Sequence, residues 1–147
     1  MQTIKIYTDG GARGNPGPAG IGAIFMNVDG AIIKKYSEFI GKSTNNRAEY
    51  RAVIFALKKV KVLFGKQKTK QLGLEFYLDS ELVVKQMRGE YRIKEKDLQP
   101  LFCDVWNLKI DFGAVEFFSI AREQNKEADK LVNEAIDGEI SKNDLGI

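Results

Sequence analysis

The first forty residues constrain the fold most. Gln2 to Thr8 alternates, with Ile4 and Ile6 on one side and Lys5 and Tyr7 on the other, and the run ends at Asp9. A period of two is the mark of a half-buried strand. Ile21 to Val28 and Ala31 to Ile40 read as two further strands, joined by Asp29-Gly30, a dipeptide suited to a tight hairpin. Between the first two strands, Gly10 to Gly20 reads as a loop, with Gly10, Gly11, Gly14 and Gly17 beside two prolines and Asn15. The chain therefore opens as a three-stranded antiparallel meander.

The period then changes. Gly41 to Asn46 is polar and turn-like, and a helix is predicted over about Asn45 to Phe64, where Ala52, Val53, Ala56, Leu57, Val60 and Leu63 recur at helical spacing. Gly65 to Gln71 is a basic loop, Leu72 to Leu78 a strand ending at Asp79, and Ser80 to Gly89 a short helix that Ser80 can cap. Glu90 to Gln99 is polar. Pro100 to Phe112 reads as a helix, with Cys103 and Trp106 on its core side. Ala114 to Ala121 is a strand, Arg122 to Asn125 a turn and Lys126 to Glu139 a helix, leaving Ile140 to Ile147 as a peripheral tail. The order is βββαβααβα. Strand–helix alternation favours parallel pairing through right-handed crossovers. The expected fold is α/β: a mixed five-stranded sheet, antiparallel over its first three strands and parallel after, flanked by helices. A length of 147 residues suits one such domain.

Composition excludes several chemistries. There is no histidine, which removes Ser-His-Asp and Cys-His hydrolysis and histidine-based zinc sites. The lone Cys103 forbids an intrachain disulfide and a thiolate zinc cluster. A hydrolase built from this chain must use carboxylates, lysines or metals. No apolar run nears the roughly 20 residues of a membrane span, and the N-terminus has no signal-peptide core. A cytoplasmic monomer without membrane contact is the expectation.

Charge is unevenly spread. Residues 1–96 carry 18 basic and 9 acidic side chains, whereas residues 97–147 carry 5 and 11. The basic excess is densest from Lys58 to Lys70 and from Lys85 to Lys96. Such asymmetry fits nucleic acid or, equally, solvated helix faces.

Four carboxylates stand out. Asp9 and Asp79 end the first and fourth strands, and sites in open α/β sheets form beyond the carboxyl ends of strands. If those strands are neighbours, the two acids repel unless something neutralises them. Glu49, in the first turn of its helix, shares a face with Val53, Ala56 and Val60. Asp129 repeats the pattern ahead of Val132 and Ile136. Any one of these acids alone reads as a cap or a rim charge. Together they suggest magnesium, which prefers carboxylate oxygens and often sits beside substrate phosphates.

These acids lie in four segments: Tyr7-Thr8-Asp9-Gly10-Gly11 with Gly14-Asn15-Pro16-Gly17-Pro18, Thr44-Asn45-Asn46-Arg47-Ala48-Glu49, Leu78-Asp79-Ser80, and Glu127-Ala128-Asp129-Lys130-Leu131. In that order they resemble the type 1 ribonucleases H over about residues 2–137. The resemblance implies a ribonuclease H-like fold and an endoribonuclease cutting the RNA strand of RNA/DNA hybrids, leaving 5′-phosphate and 3′-hydroxyl ends. It implies two Mg²⁺ ions, or Mn²⁺, in the substrate complex. Asp9 would bridge both ions, Glu49 and Asp79 would hold the one nearer the leaving group, and Asp129 the one that activates water. Glu49 would also meet a substrate 2′-hydroxyl, and Asn15, Asn45, Asn46 and Ser80 would contact the hybrid.

The chain departs from many members in its Ala121-Arg122-Glu123-Gln124-Asn125 stretch, which is short and lacks their histidine. In this it is similar to the histidine-lacking branch found in archaea and some bacteria. Arg122 can reach a phosphate there, or pair with Glu123 or Glu127. Glu81 stands where some members carry a substrate-binding glutamine, and residues 88–96 stand in place of a longer basic protrusion. Two other readings are another nuclease of the same fold and a non-catalytic hybrid-binding module. The glycine-rich and Thr44–Glu49 segments argue against the first. The full set of four acids argues against the second.

Overall fold

The computed structural model describes residues 1–144. Strands β1 (Gln2–Ala12), β2 (Gly17–Asn27), β3 (Ile32–Ser43), β4 (Leu72–Leu78) and β5 (Ala114–Ser119) form one sheet in the order β3-β2-β1-β4-β5. β2 runs antiparallel to β1 and β3, while β4 runs parallel to β1 and β5. This is the mixed sheet expected, and it places β1 beside β4. The helices are α1 (Asn45–Phe64), α2 (Lys66–Thr69), α3 (Glu81–Met87), α4 (Gln99–Lys109) and α5 (Lys126–Asp144), with a 3-10 turn at Arg122–Gln124.

α1 starts where Thr44 Oγ1 accepts a hydrogen bond from the Arg47 amide at 3.3 Å, and it stops at Gly65, whose φ of 83° suits glycine. Its stripe of Val53, Ala56, Leu57 and Val60 is fully buried with Ile4, Ile6, Leu74 and Phe76 of the sheet. Burying each large side chain stabilises the fold by about 1.5–3 kcal/mol. α5 packs on the other face, over β2 and β3.

Several boundaries differ from expectation. The segment Gly10–Gly20 is not one long loop: Gly10, Gly11 and Ala12 pair with Ile21, Gly20 and Ala19, so only residues 13–16 turn. The glycines there serve contact more than flexibility. A Cβ on Gly10 would overlap the Ala48 carbonyl of α1, and one on Gly20 would lie 2.8 Å from the Val132 carbonyl of α5. The basic Gly65–Gln71 loop contains the short α2. α4 sends only Val105 fully inward, so Cys103 and Trp106 are exposed and not core; Trp106 is 54% accessible. α5 continues through Ile140 to Asp144 and is not a tail there, while residues 145–147 of that predicted tail lie outside the described residues. No described helix is long and apolar enough to cross a membrane.

Candidate active site

β1 and β4 run parallel with Tyr7 opposite Tyr77, so Asp9 and Asp79, two residues further along each, come side by side. Asp9 lies inside β1 and not at its end, because pairing with Gly22 of β2 carries the strand on. Glu49 enters from α1. It is the fifth helical residue, just past the first turn where it was expected, and the bare Cα of Gly10 lets α1 come close enough to bring it in. One oxygen from each of Asp9, Glu49 and Asp79 lies within 4.8 Å of the others. Asp9 and Glu49 are each 6% exposed, and Asp79 is half-buried.

Asp129 differs from the pattern predicted for it. α5 packs through Ala128, Val132 and Ile136, and Asp129, one residue round the helix, is exposed. It still lines the same cavity of about 480 Å³ as the other three acids, and its charge acts on Asp9.

The electrostatics are those of an uncompensated cluster. Burial pushes the Asp9 carboxyl up to about 7; its hydrogen bond with Glu49, the next largest effect, opposes this, and the charges of Asp79 and Asp129 add to the upward push. Burial and the Asp9 charge hold Glu49 well above the usual carboxylate range. Among the described residues no lysine or arginine forms an ion pair with any of the four acids. Glu49 Oε2 is buried without a hydrogen-bond partner. Hard oxygen donors converging this closely, one of them orphaned, fit a divalent cation.

The polar rim separates into groups that line the cavity and groups that support it. Asn45, Asn46, Ser80 and Arg122 line it. Asn15 stands behind Asn45: its Oδ1 accepts from the Asn45 amide at 2.9 Å, and Asn45 Oδ1 accepts from the Ala12 amide at 2.9 Å. The Asn15 oxygen is thus occupied by the first amide of α1 and the Asn45 oxygen by the end of β1, while among the described residues neither NH₂ group makes a hydrogen bond. Ser80 Oγ caps α3 by accepting from the Val83 amide at 3.3 Å. Arg122 is exposed, and among the described residues it pairs with neither Glu123 nor Glu127.

One residue escaped the sequence reading. Asn125, which reads as a turn residue in the sequence, is 2% exposed. Its Nδ2 donates to the Thr8 carbonyl at 2.9 Å and lies 3.4 Å from Asp79 Oδ2, while its carbonyl accepts from the Asp129 amide at 3.1 Å. It joins the strand before Asp9, the Asp79 carboxylate and the start of the helix bearing Asp129. The one signal for it is an asparagine immediately before a helix, where capping residues gather.

Residues 7–135 match a family model described as reverse transcriptase-like. Over 149 residues the chain is 41% identical to ribonuclease H of Paramagnetospirillum magneticum, covering 92% of this chain and 90% of that one. It is 38% identical over 135 residues to the bifunctional protein Rv2228c of Mycobacterium tuberculosis, covering 91% of this chain and 35% of that one. The chain thus spans about a third of the length of the first curated relatives it matches. LC11-RNase H1, isolated from compost by a metagenomic approach, superposes with a TM-score of 0.88 at 44% identity, covering 95% of this chain and 99% of that one. Its complex with an RNA/DNA hybrid superposes with a TM-score of 0.86 at 43% identity, covering 93% and 99%.

Proposed function

Because the chain belongs to the type 1 ribonuclease H family, we propose that it hydrolyses the RNA strand of RNA/DNA hybrids at the four-acid cavity. The observation that carries this reading is the convergence of Asp9, Glu49 and Asp79 within 4.8 Å, with no lysine or arginine among the described residues in an ion pair with them. The hybrid bound to the structural relative LC11-RNase H1 supports the choice of substrate.

Asp9, Glu49, Asp79 and Asp129 are the proposed ligands of divalent cations, Mg²⁺ in the first place and Mn²⁺ as a substitute, with two ions in the substrate complex. Bound there, the cations supply Lewis acidity to the phosphate and to water. The chain's own contribution is placement. Asn125 fixes Asp79 and the start of α5 against β1. Asn45 and Asn46 offer amide groups to base edges and sugars of the minor groove, braced from behind by Asn15. Ser80 and Arg122 complete the substrate-facing rim. Glu49 is suited to accept from a 2′-hydroxyl, the group that distinguishes RNA from DNA. Water attacks the phosphorus, the bond to the 3′-oxygen of the preceding nucleotide breaks, and the products end in 5′-phosphate and 3′-hydroxyl. We read residues 1–147 as one such catalytic unit acting as a monomer. A cytoplasmic location is part of this proposal.

The test is cleavage of an end-labelled RNA/DNA hybrid with Mg²⁺, with and without EDTA, alongside single-stranded RNA, double-stranded RNA and double-stranded DNA. Cutting of the hybrid's RNA strand, abolished by EDTA and by Asp9→Asn, is expected. A folded protein that binds the hybrid but cuts nothing in Mg²⁺ or Mn²⁺ would be a binding module and not an enzyme.

A further inference from the structure

We propose that Arg13 grips a backbone phosphate of the bound hybrid, and that Asn133 and Asp137 hold it ready beside the acid cluster. This rests on the functional reading above. Arg13 lies on the turn between β1 and β2 and lines the same cavity as Asp9 and Asp129. Its Nη1 lies 2.6 Å from Asp137 Oδ1, and its Nη2 donates to Asn133 Oδ1 at 3.2 Å. Asn133 Nδ2 in turn donates to the Asp129 carbonyl at 3.1 Å and lies 3.5 Å from Asp129 Oδ2. Residues 129, 133 and 137 stand at successive four-residue steps on one face of α5. A ladder therefore runs from the fourth acid of the cluster to the guanidinium.

A purely structural pin explains this poorly. The Arg13 and Asp137 side chains are 40% and 65% exposed, and ion pairs so open to water stabilise a fold little. The turn is already held without it, by the Arg13 amide to the Pro18 carbonyl at 2.9 Å and by the Asn15–Asn45–Ala12 bonds. A guanidinium has five N–H donors, and Asp137 and Asn133 take two, leaving three for a ligand. The cavity otherwise presents mainly acids and amides, and a polyanion entering it needs cations at the rim. A phosphodiester can replace the Asp137 carboxylate, anion for anion, in the bidentate geometry that arginine favours. Asn133 would keep the guanidinium oriented during that exchange and tie the gripped phosphate to the position of Asp129.

The experiment is steady-state cleavage of a labelled RNA/DNA hybrid with Mg²⁺ across a salt series, with thermal melting of each variant. For Arg13→Ala we expect KM to rise by about fivefold or more with kcat nearly kept, and the salt dependence of kcat/KM to become shallower by about one unit of slope. Arg13→Lys should fall between Arg13→Ala and wild type. Asp137→Asn removes the competing carboxylate, so its KM should fall. Parallel loss of melting temperature in Arg13→Ala and Asp137→Asn, with both raising KM, would overturn the inference and leave a structural pin. So would an Arg13→Ala variant with wild-type KM and salt slope. A wild-type protein that neither binds nor cuts the hybrid would overturn the functional reading and this inference with it.

Discussion

Asp9 and Glu49 are held at 6% exposure with both carboxyls pushed upward by burial, and Glu49 further by the Asp9 charge, a cost the fold carries for the sake of the site. Removing one charge should therefore separate activity from stability. Asp9→Asn is expected to lower hybrid cleavage by at least about 10³-fold while raising the melting temperature of the metal-free protein. A falling melting temperature would mean that the cluster is already neutral or paired. Asn125 makes the opposite case. Asn125→Ala strands the buried Thr8 carbonyl, which costs about 1–3 kcal/mol, and frees the Asp79 carboxylate to turn. Outer groups that orient metal ligands are typically worth about 10–100-fold in affinity or activity. The Mg²⁺ concentration for half-maximal cleavage should thus rise in Asn125→Ala, and rescue by excess Mg²⁺ separates lost orientation from simple unfolding.

At the scale of elements, the strand–helix order was readable because Ile4 and Ile6 alternate and the residues from Ala52 to Val60 recur at helical spacing. The ends of β1 and β2 were not, because Gly10 and Gly20 look like turn residues and are in fact contact residues. A Cβ on Gly22 would overlap the Ala128 carbonyl and lie 2.8 Å from Leu131 Cβ, so it is the missing side chain that lets α5 lie on β2. Gly22→Ala should destabilise the protein by about 1–3 kcal/mol by overpacking, and it should lower activity too, since α5 carries Asp129. Gly138 on the same helix meets nothing within 4 Å, so Gly138→Ala should stabilise by about 0.5–1 kcal/mol through helix propensity. Chemical denaturation of the pair distinguishes contact from conformational freedom. The α4 face was misread for a related reason. Cys103 and Trp106 sit one helical step apart, yet the face that α4 turns inward centres on buried Val105, with Leu101, Phe102 and Leu108 partly buried against the core.

For the whole molecule, the sequence showed which acids would meet but not how far each would be buried. That depends on α1 closing over Gly10 and on α5 turning Asp129 outward, which are long-range facts of packing. The consequence is a global dependence on pH. Asp9 carries a folded-state value of about 7 against an ordinary 3.8. Between those values the folded chain holds a proton that the unfolded chain has released, so stability falls as pH rises from about 4 to 7 and stays low above. A shift of that size is worth on the order of a few kcal/mol. A divalent cation reverses the sign, because it binds the deprotonated cluster of the folded state and displaces the proton. The melting temperature of metal-free protein should therefore decline from pH 5 to pH 8, and added Mg²⁺ should raise it more at pH 8 than at pH 5. Asp9→Asn should flatten both trends. Equal stabilisation by Mg²⁺ at the two pH values would show that the cation binds elsewhere, and the coupling between fold stability and the acid cluster would not hold.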